Sequence, residues 1–242
     1  MRALRASWRL ARCLVHTLHG LALCALAFPR LDAGARRRHV QRWSARMLGA
    51  LDVDCQVEGA AHDGPVLLVA NHVSWLDILA INAVQPARFV AKAEVHRWPL
   101  LGRLVAAGGT LFIERERKRD ALRVLHQVAA ALSAGDVVAL FPEGTTSAGE
   151  GVLPFHANLL QAALSAGAPL QPLALRYRDA RSNPSRAAAY VGETSLVASL
   201  WQVLRADRLC VRMTLLAVEP SLLERRAMAA RLRERIVRAL DA

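Results

Sequence analysis

From residue 53 onward, short apolar runs alternate with amphipathic ones, and this alternation restricts the possible folds more than any other feature of the chain. The runs at 53–57, 65–70, 88–91, 110–113, 137–141 and 169–177 have strand length, while 75–84, 99–107, 120–132 and 158–165 carry apolar residues at helical spacing. A strand at 188–191, a helix at 195–205, a strand at 210–218 and a helix at 222–240 complete the pattern. Strands that alternate with helices predict an α/β domain whose mixed sheet is mostly parallel and flanked by helices. In such sheets ligands sit beyond the carboxyl ends of the strands. The chemically suggestive residues fall there: His72 after the second run, Lys92 after the third, Arg115 after the fourth, and Glu143 with Gly144 after the fifth.

The first fifty residues read differently. Of the net charge of +12, nine charges lie before residue 49, where ten arginines face a single acid, Asp32. The segment 13–29 is almost uncharged and mostly apolar, but short for a bilayer span, which takes roughly 20 apolar residues. Arginines on both sides favour a dipping element with both ends on the cytoplasmic face. A second segment, 36–51, spaces Val40, Trp43, Met47 and Leu51 as an amphipathic helix with arginines on its remaining surface. The expected organisation is therefore a two-helix membrane-associating element at 1–51 followed by an α/β domain at 52–242. A secretory signal peptide, with Ala25-Leu26-Ala27 before its cleavage point, and a single-span anchor are the rival readings. Basic charge beside apolar sequence points to an anionic membrane surface. A nucleic-acid partner is not expected, because aromatics are only 5% and no nucleic-acid motif occurs. The four cysteines lack metal or disulfide spacing, and no metal or cofactor is expected.

Within Asn71-His72-Val73-Ser74-Trp75-Leu76-Asp77, Ser74 is a candidate helix N-cap, and Asp77 three residues later suits a capping-box position. That is the plain explanation of Asp77. If His72 precedes the helix and folds back, Asp77 can instead accept from one imidazole nitrogen and leave the other as a base. The bare His-x4-Asp spacing is common, so the other segments matter. Gly109-Thr110-Leu111-Phe112-Ile113-Glu114-Arg115, then Phe141-Pro142-Glu143-Gly144-Thr145-Thr146-Ser147, then Pro172 follow in order. The set resembles the glycerolipid acyltransferase family, and within it the lysophosphatidate acyltransferases.

This resemblance implies an O-acyltransferase that moves a fatty acyl group from acyl-CoA or acyl-carrier-protein to the hydroxyl of a lysolipid at the cytoplasmic membrane. It makes His72 the general base and Asp77 its orienting partner. Arg115, backed by Arg117 and Lys118, would contact the acceptor phosphate, Glu143, Gly144 and Thr145 would help to hold the acceptor, and Lys92 would add a headgroup contact. Backbone amides near Gly144 are candidates for the oxyanion. A thioester is already activated, so no covalent nucleophile is required, and Ser147 does not meet the G-x-S-x-G pattern. One departure concerns the acceptor. Many lysophosphatidate acyltransferases carry arginine where this chain has Thr146, whereas threonine there is similar to acyltransferases of lyso-ornithine lipid. A membrane-binding module without catalysis is the non-enzyme alternative, and it leaves His72, Asp77, Arg115 and Glu143 unexplained.

Overall fold

The computed structural model describes residues 2–113, 118–222 and 224–242. Its centre is β2 (Val66–Ala70), a run of five apolar residues that are all buried because helices cover both faces of the sheet. Val66, Leu68 and Ala70 face one core, Leu67 and Val69 the other, as the period of two requires. Among the described residues the sheet has seven strands in the order β1-β7-β6-β2-β5-β3-β4. The others are β1 (Val53–Glu58), β3 (Arg88–Lys92), β4 (Leu111–Ile113), β5 (Val137–Leu140), β6 (Leu170–Arg178) and β7 (Leu209–Leu215). All neighbours run parallel except β6 and β7. The mostly parallel mixed sheet is as expected.

One layer holds α2 (Ala33–Leu51), α3 (Leu76–Val84) and α8 (Leu196–Arg205). The opposite layer holds α6 (Lys118–Ser133), α7 (Gln161–Ala166) and α9 (Arg225–Asp241). The helix expected at 99–107 is α5 (Leu101–Ala107), and a short helix that was not expected, α4 (Ala93–His96), precedes it. The strand expected at 188–191 is absent. That segment is a loop whose Tyr190 N–H donates to the Val73 carbonyl at 3.0 Å; Ala188 is buried in it, while Val191 is exposed, and no ladder pairing forms.

The N-terminal helix is longer than expected. Helix α1 runs Arg2–Ala22 and continues as a π turn and a 3-10 turn to Arg30. The stretch Ala3–Arg30 is long and apolar enough to cross a membrane by length and composition. The helix has two unlike faces. Ala6, Cys13 and Gly20 lie seven residues apart on the inner one, where small side chains let neighbouring helices approach. A Cβ at Gly20 would come within 2.5 Å of the Trp43 indole nitrogen. Arg9 lies on the same face, buried, and donates to the carbonyls of Leu204 and Ala206 at 2.9 Å each and to Asp52. Those bonds satisfy a guanidinium that burial would otherwise make costly. Helix α1 is thus packed into the folded body. Helix α2 starts at an N-cap, Asp32, which accepts from the Ala35 amide at 2.7 Å.

Candidate active site

The sheet order sets β2, β5, β3 and β4 side by side and parallel, so four carboxyl ends share one edge. Register brings their following residues level. Val69 pairs with Leu140 and Ala139 with Phe89, which puts His72, Glu143 and Lys92 at similar height. Lys92 is exposed at the end of β3, two strands and so about 10 Å from the β2 line. Arg115 lies outside the described residues.

At the end of β2, Asn71 keeps the ladder going with its side chain. Its amide donates to the Leu175 carbonyl at 2.9 Å and accepts from the Leu175 N–H at 2.8 Å. This frees the next backbone to leave the sheet. The His72 peptide is then held on both sides: its N–H donates to Glu143 Oε1 at 2.6 Å, and its carbonyl accepts from the Ser147 N–H at 2.8 Å. The other Glu143 oxygen accepts from the Leu153 amide at 2.8 Å. Both oxygens of Glu143 are therefore committed to backbone amides, and its place in the site is beneath His72. Burial pushes its carboxyl above the ordinary value, although those two amides and the nearby His72 pull the other way.

The imidazole Nδ1 lies 2.8 Å from Asp77 Oδ2. The same oxygen accepts from the Val73 amide at 2.8 Å and the Ser74 amide at 3.0 Å. Asp77 is fully buried, while the His72 side chain keeps 19% of its surface. The expected capping arrangement is corrected here. Helix α3 begins at Leu76 after Trp75, and Ser74 caps nothing with its side chain. Asp77 supplies only the returning half of a capping box, and the carboxylate oxygen that caps the turn is the one that holds the histidine. With Nδ1–H donated to Asp77, Nε2 carries the lone pair, and among the described residues nothing hydrogen-bonds to it. Phe141 stacks on the ring at 3.9 Å between centroids and 8° between planes, fixing its orientation.

Gly144 adopts φ +73°, and its N–H donates to the Phe141 carbonyl at 3.1 Å, closing the turn. Its own amide is thereby used up. The amides of Thr145 and Thr146 make no hydrogen bond among the described residues, and the Thr145 side chain is exposed beside the turn. The Thr146 hydroxyl donates to the Tyr190 carbonyl, so Tyr190 is tied by its backbone to both the His72 loop and the Glu143 turn. Sequence reasoning did not find the roles of Asn71, Phe141, Ser147 or Tyr190. The first had a usable signal, a lone amide ending a fully apolar strand.

Residues 52–176 match the model of the family described as Acyltransferase. The chain belongs to the acyltransferase family. It is 39% identical over 244 residues to a lyso-ornithine lipid O-acyltransferase of Pseudomonas aeruginosa, a match that covers 98% of this chain and 94% of the relative. It is also 39% identical over 193 residues to a 1-acyl-sn-glycerol-3-phosphate acyltransferase of Neisseria meningitidis, covering 78% and 75% of the two chains. The crystal structure of a 1-acyl-sn-glycerophosphate acyltransferase from Thermotoga maritima superposes with a TM-score of 0.75, covering 100% of this chain and 97% of that one. At 20% identity that likeness speaks for the fold alone. The chain is accordingly an acyltransferase enzyme, as its motifs implied.

Proposed function

We propose that this acyltransferase moves a fatty acyl group from an acyl-CoA or acyl-carrier-protein thioester to the free hydroxyl of a lysolipid. The observation that carries the reading is the His72 ring, anchored through Nδ1 on a buried carboxylate with Nε2 left open. In this mechanism Nε2 takes the acceptor's hydroxyl proton as its oxygen attacks the thioester carbon. When the tetrahedral intermediate collapses, the proton returns to the departing thiolate. The thioester is already activated, so neither a metal, a cofactor nor a covalent enzyme nucleophile is needed. Ser147 is buried and its hydroxyl faces the His72 carbonyl at 3.3 Å, which suits support and not attack.

The first acceptor is 1-acyl-sn-glycerol 3-phosphate, giving phosphatidic acid, with Lys92 and Arg115 as the cations for its phosphate. Glu143 serves the acceptor indirectly, by holding the His72 peptide, and Gly144 and Thr145 form the turn that borders its site. A second reading, lyso-ornithine lipid, is favoured by Thr146, whose hydroxyl is spent on Tyr190, and by the relative of that name, which matches almost the whole chain. Release of thiol from an acyl thioester, assayed with lysophosphatidate, other lysophospholipids and lyso-ornithine lipid, decides between them. Fastest turnover of lysophosphatidate supports the first reading and fastest turnover of lyso-ornithine lipid the second. Release with no acceptor retires lysolipid acylation.

The site sits at the cytoplasmic face of the inner membrane in this reading, with residues 1–51 as the seat. Leu4, Trp8, Val15 and Leu18 form a stripe on α1 opposite its packed face, each more than half exposed. Among the described residues nothing covers them, and the surrounding arginines suit anionic headgroups. Changing Trp8 and Val15 together to glutamate is expected to release the protein from vesicles containing phosphatidylglycerol. Turnover of a water-soluble short-chain lysolipid should persist. Flotation with vesicles checks the first outcome, and undiminished binding would remove α1 from the membrane contact.

A further inference from the structure

Asp77 uses its two carboxylate oxygens very unequally. Oδ2 accepts from His72, Val73 and Ser74, while Oδ1 is buried and has no hydrogen-bond partner among the described residues. A bare oxygen on a buried carboxylate is costly, because nothing replaces the water it has lost. Among the described residues, buried hydroxyls without a partner include those of Tyr177 and Ser74. The Tyr177 phenol lies close enough to Asp77 to feel the carboxylate charge. Tyr177 ends the core-facing row Leu173, Leu175 and Tyr177 on β6, and Asn71 ties that strand to the His72 loop through Leu175. Burial first, and then the Asp77 charge, hold the phenol well above its usual pKa, so it stays a donor. Ser74 Oγ, also buried and unpartnered, is the remaining hydroxyl of that loop.

We propose that Tyr177 is a positioning residue of the catalytic pair, its O–H held on Asp77 Oδ1, directly or through one water, so that Oδ2 stays aimed at His72. The inference rests on His72 acting as the base. The tyrosine never meets substrate. It fixes the rotation of the carboxylate and draws part of its charge away from the imidazole, extending the pair into a chain of phenol, carboxylate and imidazole. The other titratable groups near this chain are Glu143, which feels the Asp77 charge, and Cys55, which faces the phenol.

Tyr177→Phe keeps the ring and removes only the donor. Its kcat for acyl transfer is expected to fall about tenfold, the weight of one hydrogen bond to a charged group, with KM for both substrates nearly unchanged. With the carboxylate charge no longer shared, Asp77 holds the imidazolium more tightly, and the acid limb of the kcat profile moves to higher pH. A purely structural tyrosine would change stability without moving that limb. The chain has only two tyrosines, so in a Tyr190→Phe background global fluorotyrosine incorporation alters Tyr177 alone. The stronger donor should move the limb to lower pH than in the unlabelled background, which keeps the test open even where the phenylalanine variant folds poorly. A Tyr177→Phe enzyme with unchanged kcat and an unmoved limb, or fluorotyrosine enzyme with an unmoved limb, overturns the proposal. Should His72→Ala retain full turnover, the function reading fails first, and the two failures are told apart.

Discussion

His72→Ala is expected to lower acyl transfer by about 10²–10⁴-fold, the usual weight of a positioned general base, while the protein stays folded. The first half follows from Nε2, the one nitrogen of the ring left open to an acceptor hydroxyl. The second follows from how the loop is held. The His72 N–H on Glu143 and its carbonyl on Ser147 belong to the backbone and survive the substitution. Asp77 Oδ2 loses one of three donors but keeps the amides of Val73 and Ser74. The lost contact is the ring's stack on Phe141, at a side chain that is partly exposed. Turnover measured beside a thermal melt separates the two effects. A melt close to that of the parent with turnover gone supports the base assignment, and unchanged turnover refutes it.

The strands were readable because burial on both faces leaves continuous apolar runs, as at 66–70 and 137–140. The same logic misled at 188–191. There a loop places one residue in the core, and Ala188 is as apolar and as inaccessible as any strand residue. Arg9 misled in the opposite direction. As an arginine before an apolar segment it reads as flanking charge, yet it closes a contact with carbonyls 195 and 197 residues away, which no local pattern records. The same limit applies at the site. The His72 and Asp77 spacing was legible because the pair is local, and the place of Glu143 was legible from its motif. That Glu143 grips a peptide N–H 71 residues earlier depends on β2 and β5 pairing in register, which the motif does not show. Tyr177 was not singled out in the sequence: it only ends the run at 169–177, and the strand pattern does not say which groups it meets across the core.

Asp77→Asn and Asp77→Ala should part company, and the difference tests whether one oxygen really serves both fold and chemistry. Asparagine can turn its amide oxygen toward the Val73 and Ser74 N–H groups and still accept from His72 Nδ1. The loop then holds, but the charge that steadies an imidazolium is gone. Turnover should drop about 10²–10⁴-fold, as for loss of the acidic partner of a catalytic histidine. Stability should change by only about 1 kcal/mol, a typical value for one altered hydrogen bond. Alanine removes the acceptor altogether and strands two buried backbone donors, each worth about 1–3 kcal/mol. It should be as inactive as the asparagine variant and roughly 2–5 kcal/mol less stable than the parent, a loss of the size expected when a buried network is broken. Denaturant unfolding of both variants, set beside their turnover, gives the comparison. Equal stability of the two would mean that Asp77 does not cap the turn, and an active asparagine variant would mean that its charge does not serve His72.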